Sequence, residues 1–332
     1  LLTVVSWNQW SHRNYPQIMP NAFNNVKEFT DNDFSRNFIS YKYYWNSGRV
    51  EVKSAYFHER QNYFLESYTS NGNPVSQMNT LNKSDVFRQI ADLQQDLFKS
   101  WKLYAKIQWD SENVTSTDYD NDYDYDLGRK KRNILSFYAV VDGNIYRDLD
   151  LRLTLRNDIV SRDVTPVASQ RNEIAVQSNG FKSAGFFPTA TLVYRMPFVK
   201  GLSFNAGYSH NYRNPTLNDL YWNPGGNENL KGEDGKTVDF DINYLYENVN
   251  FNLDFRTGLY YSKVNDWIQW VPTNYRYWMP RNVSKVLARG LEAHLKMNYR
   301  YALWTFSISG NYVYSHTTDE SEYAQQYDAD GK

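Results

Sequence analysis

The residues with the strongest claim to chemistry are acidic. From Asp118 to Asp126 every second residue is an aspartate: Asp118, Asp120, Asp122, Asp124 and Asp126. In an extended backbone these carboxylates share one face. Such a ridge stays solvated or collects a hard cation, and oxygen-only ligands suit calcium. Asp118, Asp120, Asp122 and Asp124 are therefore the candidate calcium ligands. The segment is not an EF-hand loop, because Tyr123 stands where the glycine belongs and the distal glutamate is missing. A solvated acidic loop accounts for the same residues and is the favoured reading.

A second group lies between Pro215 and Pro224-Gly225-Gly226. Pro215 prevents regular continuation of a strand, and Pro224-Gly225-Gly226 predicts a compact turn. Tyr221 and Trp222 are thereby left on a loop with no evident core to fill. They offer stacking area to a ligand, and Asn223 and Asn227 offer adjustable hydrogen bonds. For any one of the four, a purely loop-shaping role is the slightly favoured reading. Covalent chemistry has no candidate. Cysteine is absent, and the five histidines, His12, His58, His210, His294 and His316, are scattered. No nucleophile elbow, phosphate loop, zinc-protease or dinucleotide motif occurs. The expectation is a protein that is not an enzyme and needs no cofactor beyond the possible calcium.

The elements that must carry these residues have a period of two. Leu149, Leu151, Leu153 and Leu155 alternate with Asp150, Arg152, Thr154 and Arg156. Val238, Phe240, Ile242, Tyr244 and Tyr246 alternate mostly with Asp239, Asp241 and Asn243. Leu202–Tyr208, Phe251–Phe255 and Trp304–Ile308 repeat the pattern. This is the strand signature. The best helical candidate, Val86 to Leu97, fits a strand as well. Roughly 13 strands are predicted, several of about ten residues or more, which is the length of a tilted membrane-crossing strand.

Connections alternate between short and long. Short ones are expected at Asn46-Ser47-Gly48, Lys99-Ser100, Arg147-Asp148, Pro197–Gly201, Asn248–Asn250 and Arg300-Tyr301. Long polar ones are expected over 12–33, 66–83, 111–131, 161–184, 211–235 and 271–285. Outer-membrane barrels have this asymmetry, with short periplasmic turns and long extracellular loops. A soluble sandwich or propeller has no reason to keep it. The polar strand faces carry charges that a dry core would not hold. Aromatics gather near strand ends, at Tyr41, Tyr43, Tyr44 and Trp45, at Trp101 and Trp109, and at Tyr312 and Tyr314, as in interfacial girdles. The net charge of -1 gives no argument for nucleic-acid binding. Aromatic residues make up 17% of the chain, and no apolar run is long enough for a membrane helix. The fold class expected is all-β, an antiparallel up-and-down transmembrane β-barrel in contact with the lipid bilayer.

Three segments together resemble the TonB-dependent outer-membrane receptors. Tyr212-Arg213-Asn214-Pro215, followed by an Asn-rich glycine loop ending in Leu230-Lys231-Gly232-Glu233, is similar to the family's Arg-x-Pro segment. Tyr260 to Ile268 is similar to its Tyr-x-x-x-(Ile/Val)-x-Asp-x-Ile strand, and Asn282 to Glu292 to its Asn…Gly-(Val/Leu)-Glu strand. Order and spacing agree, most strongly over about 200–316. The loop around Asn218-Asp219-Leu220-Tyr221-Trp222 most resembles the vitamin B12 receptor-like branch of Bacteroidetes-type bacteria.

The resemblance implies a bacterial outer-membrane location and active import of a large, scarce ligand, a corrinoid or a siderophore. The energy would come from the TonB complex acting through a plug. The family's barrel has about 22 strands and a plugged lumen, so residues 1–332 are expected to be part of one barrel domain, roughly 13 of 22 strands, with the plug and terminal strands absent. Lumen charges such as Arg213, Arg256 and Asp254 would then pack against the plug. The alternative is an uncoupled surface barrel: an adhesin, a passive channel or an outer-membrane enzyme.

Overall fold

Among the described residues of the computed structural model, thirteen antiparallel strands follow one another, each beside its sequence neighbour. They are β1 (Leu2–Asn14), β2 (Val26–Trp45), β3 (Gly48–Tyr68), β4 (Pro74–Asp96), β5 (Lys102–Tyr119), β6 (Asp124–Tyr146) and β7 (Leu149–Thr165). Then come β8 (Gln177–Arg195), β9 (Leu202–Arg213), a helix α1 (Leu217–Tyr221), β10 (Glu233–Glu247), β11 (Phe251–Pro272), β12 (Trp278–Tyr301) and β13 (Trp304–Asp319). The described residues are 1–15, 26–68, 72–98, 100–119, 124–165, 177–222, 225–273 and 278–320. The order β1 to β13 is strictly up-and-down, as the alternation of connections predicts. Among the described residues no helix is long and apolar enough to cross a membrane.

The strands are longer than the sequence suggests, and they run deep into the stretches expected to be loops. β5 reaches Tyr119 and β6 starts at Asp124, within the expected loop 111–131. The reason is that an antiparallel ladder satisfies backbone N–H and C=O groups whatever the side chains are. Cross-strand ion pairs then support the polar extensions: Arg88 donates to Asp110 at 2.6 and 3.0 Å, and Arg132 donates to Glu112 at 2.6 Å. Polarity here marks where a strand leaves lipid, not where it ends. The Val86–Leu97 segment lies almost wholly in β4. The turn expected at Arg300-Tyr301 sits at Ala302-Leu303 instead, because β12 and β13 pair out to Tyr301 and Trp304.

The chain divides into two units. The first comprises Leu1–Gln94, Ala105–Phe137 and Asn157–Gly185. On one face of its β2 and β3, buried Glu51 accepts ion pairs from Lys42 at 3.5 Å and Lys53 at 3.3 Å, and Lys53 also reaches Asp92 at 2.9 Å. The opposite face carries Val4, Ile39, Tyr41, Tyr43 and Val52, all exposed.

The second unit comprises Gln95–Tyr104, Tyr138–Arg156 and Phe186–Lys332. Its register lines up the period-two residues in rows across strands. Leu192, Ala206, Phe240, Leu259, Leu291 and Tyr314 form one such row. Tyr246, Leu253, Met297 and Ile308 form another, nearer the short turns. The alternate residues make the polar face, with rows such as Asn205, Asp241, Gly258 and Glu292. Glycines here make room for cross-strand neighbours: a Cβ on Gly207 would collide with the Asp239 carboxylate, and one on Gly258 with that of Asp241. Gly201 closes the β8–β9 turn at φ +87°, and a side chain there would also strike the Leu245 carbonyl.

Candidate functional site

The three motif segments converge at the loop end of β9–β12. β9 stops at Arg213, and Pro215 is fully buried just beyond it. Thr216 then caps α1 through a reciprocal box. Its Oγ1 accepts from the Asp219 N–H at 3.0 Å, and its own N–H donates to Asp219 Oδ2 at 2.8 Å. Such a box satisfies two donors that a helix start leaves orphaned, which lets so short a helix persist.

Asp219 is the hub. Its side chain is buried, and its Oδ1 accepts from Trp270 Nε1 on β11 at 3.0 Å. Its backbone carbonyl accepts from the Asn227 N–H at 2.9 Å. Leu220, Leu230 and Ile268 form a small apolar core, with Tyr221 packed against it. Sequence reasoning leaves Tyr221 without a core; the structure supplies one, built from a helix turn, the far side of the loop and β11.

The return limb is fixed just as closely. The Gly225 and Gly226 N–H groups both donate to the Trp222 carbonyl, at 2.9 and 2.5 Å. Gly226 has no space for a Cβ against Trp222 N and the Leu220 carbonyl. Asn282 Oδ1 accepts from the Lys231 N–H at 2.9 Å, and its Nδ2 donates to the carbonyls of Lys231 at 3.1 Å and Asp266 at 2.7 Å. Asp266 adopts φ +53°, a conformation that Asp and Asn tolerate better than most residues.

Glu233 closes the arrangement. It accepts from Arg213 Nε and Nη2, both at 2.6 Å, and from the Ile268 N–H at 2.8 Å. Counted from the short turns, about 9–11 residues cross the membrane, so Arg213 and Glu233 lie beyond the membrane-crossing parts of β9 and β10. Burial acts to raise the Glu233 carboxyl. The Arg213 hydrogen bonds and charge and the Ile268 N–H outweigh it, and hold Glu233 below the usual glutamate range. A lowered folded-state pKa stabilises the native state above the unfolded value, and that stabilisation is lost as pH falls through the folded value. The protection of the Ile268 amide, taken relative to the intrinsic exchange rate at each pH, should therefore be high at neutral pH and fall once the pH drops below the ordinary glutamate range. Unchanged protection on acidification would show that Glu233 does not hold β11.

Of the expected ligand-binding residues, the structure brings Tyr221, Trp222 and Asn227 into one loop. Trp222 is half-buried and caps α1, its N–H donating to the Asn218 carbonyl at 3.0 Å. Asn227 Nδ2 donates to the Pro280 carbonyl at 3.1 Å, and its Oδ1 accepts from the Asn229 N–H at 3.1 Å. Asn223 lies outside the described residues. Of the candidate calcium ligands, Asp118 belongs to β5 and Asp124 opens β6, while Asp120 and Asp122 lie outside the described residues. Among the described residues no group of three or more His, Asp or Glu side chains is placed to hold a metal. Arg256, expected to face a plug, donates to Asp254 at 2.9 and 2.8 Å. The roles not foreseen are those of Thr216, Asp219, Trp270 and Asn282, of which Asp219 and Asn282 were noted only as parts of motif segments. The Thr-x-x-Asp spacing of the cap was readable; the links to β11 and β12 depend on tertiary structure alone.

Comparison with known proteins bears on this arrangement. The family model described as TonB dependent receptor-like, beta-barrel matches residues 3–332. A vitamin B12 transporter, BtuB of Photobacterium profundum, is 24% identical over 71% of this chain and 40% of its own length. The chain thus spans less than half of that curated relative. Among solved structures, the alcaligin outer-membrane receptor FauA from Bordetella pertussis has a TM-score of 0.56 at 16% identity, with 96% of this chain and 50% of that one covered. The copper transporter OprC has a TM-score of 0.62 at 14% identity, with 94% of this chain and 53% of that one covered. At these identities the solved structures share the fold.

Proposed function

Because the chain belongs to the TonB-dependent receptor β-barrel family of the outer membrane, we propose that it serves active uptake of a large, scarce ligand energised through TonB. The observation that carries this reading is the match to the family model over nearly the whole chain. A corrinoid is the ligand class we favour, since the sequence relative is a vitamin B12 transporter; a siderophore comes next. In this role the barrel does no covalent chemistry. Its loops capture the ligand, and Tyr221 and Trp222, with Asn223 and Asn227 beside them, supply the contacts. The rigid framework of Asp219, Glu233 and Asn282 holds that loop at the strand ends. Preorganisation of this kind lowers the entropy lost on binding.

The test is uptake of radiolabelled cyanocobalamin and of a ferric siderophore by cells carrying or lacking the gene, each with and without functional TonB. Uptake of the corrinoid that needs both the gene and TonB is the expected result. Gene-dependent uptake that persists without TonB would replace this reading with the uncoupled barrel.

A further inference from the structure

The lipid-facing rows of the second unit end in a belt of basic side chains, three of them lysine or arginine. On β9 the apolar face runs Leu202, Phe204, Ala206 and Tyr208, and the next residue on that face is His210. On β10 it runs from Tyr246 to Val238, and the next is Lys236. On β11 it runs from Phe251 to Tyr261, and the next is Lys263. On β12 the face runs from Tyr299 to Leu291, and the next is Arg289; on β13, from Phe306 to Tyr314, and the next is His316. The runs on β10 to β13 match the roughly 9–11 residues of a membrane-crossing strand counted from the short turns, and the run on β9 is two residues shorter. The five basic residues therefore sit at the outer boundary of the bilayer.

The register makes this a cluster. Lys236 is directly opposite Lys263 and also opposite His210. Arg289 is opposite Tyr261, one row nearer the membrane and diagonal to Lys263, and it is opposite His316 as well. Like charges directly opposite on one face of a sheet are destabilising. The side chains of Lys236, Lys263 and Arg289 make no hydrogen bond or ion pair among the described residues. The carboxylates flanking the belt are engaged: Asp234 with His210 at 2.7 Å, and Glu320 with Lys285 at 2.6 Å. The belt is also local. On β1–β3 the corresponding rows are Ser6, Asn37 and Tyr56, then Asn8, Ser35 and His58, with no lysine or arginine.

We propose that Lys236, Lys263 and Arg289 form a binding site for the phosphorylated headgroup of an outer-leaflet lipid. The lipid's acyl chains lie along the apolar rows beneath, and its phosphates neutralise the facing lysines. This rests on the membrane location of the chain and is independent of what it imports. Near a membrane surface, each lysine or arginine strengthens attraction to an anionic headgroup about fivefold.

The experiment uses the full chain, purified in zwitterionic detergent, and diphosphorylated lipid A as the probe, with affinity read by native mass spectrometry. The triple variant K236Q/K263Q/R289Q is expected to bind on the order of a hundredfold more weakly. Lys296→Gln, on the polar face of β12, should leave affinity unchanged. Lipid A stripped of phosphate should bind wild type as weakly as the triple variant binds the intact lipid. Lys263→Gln alone provides a folding control with its own sign: it should raise the melting temperature without lipid, by relieving Lys236, and still weaken lipid binding about fivefold. Equal affinity of wild type and triple variant would overturn the proposal. So would displacement of the lipid by equimolar inorganic phosphate, which would make the cluster a simple anion site.

Discussion

Asp219→Ala should loosen the whole loop between β9 and β10. The substitution strips buried partners from Trp270 Nε1 and the Thr216 N–H. Each buried donor left unsatisfied costs about 1–3 kcal/mol, so a loss of about 3 kcal/mol in local stability is expected. Amide exchange over 216–230 should then accelerate on the order of a hundredfold. Asp219→Asn keeps an acceptor for Trp270 and should lose less. Hydrogen exchange of the purified protein in detergent measures both. If Asp219→Ala exchanges like wild type, the loop is held by its apolar core of Leu220, Leu230 and Ile268 and not by this carboxylate.

The second large effect concerns ligand capture. Trp222→Ala should weaken binding of the imported ligand by about 2 kcal/mol, or roughly thirtyfold, as removal of an aromatic interface anchor does. Tyr221 packs against the loop core, so Tyr221→Ala is expected to lower stability as well as affinity. The assays are a dissociation constant, with cyanocobalamin as the first probe, and thermal unfolding in detergent. A Trp222→Ala protein with unaltered affinity and reduced stability would make Trp222 a helix cap and nothing more.

Much of this was legible in the residues themselves. Alternation along 238–246 and 251–255 fixes which side chains face lipid, because a pleated strand leaves no other choice once one face is apolar. Short turns such as Arg147-Asp148 were readable because long apolar runs flank them. What escaped was governed by long-range pairing. Nothing local says that Asp124 is already in a strand; its partner ladder does. Nothing in Leu217–Tyr221 says that Ile268, far along the chain, completes a core beneath it. The capping box of Thr216 and Asp219 was a short-range signal that the flanking prolines and glycines masked. Of the candidate site, the loop was identifiable, but the division of labour inside it was not, since Asn227 looks as fit for a ligand as for the Pro280 carbonyl that it meets.

The strict β1-to-β13 neighbour order has a kinetic side. Every seam of this sheet joins strands adjacent in sequence, so closing each one needs only the single connection between them, alternately short and long, and loop-closure entropy grows slowly with that length. Hairpins can therefore zip one after another, each completed strand templating the next, without waiting for a distant partner. A defect in one strand would stall the zipper there and leave the earlier seams intact, so assembly of this sheet should fail progressively along the chain and not all at once.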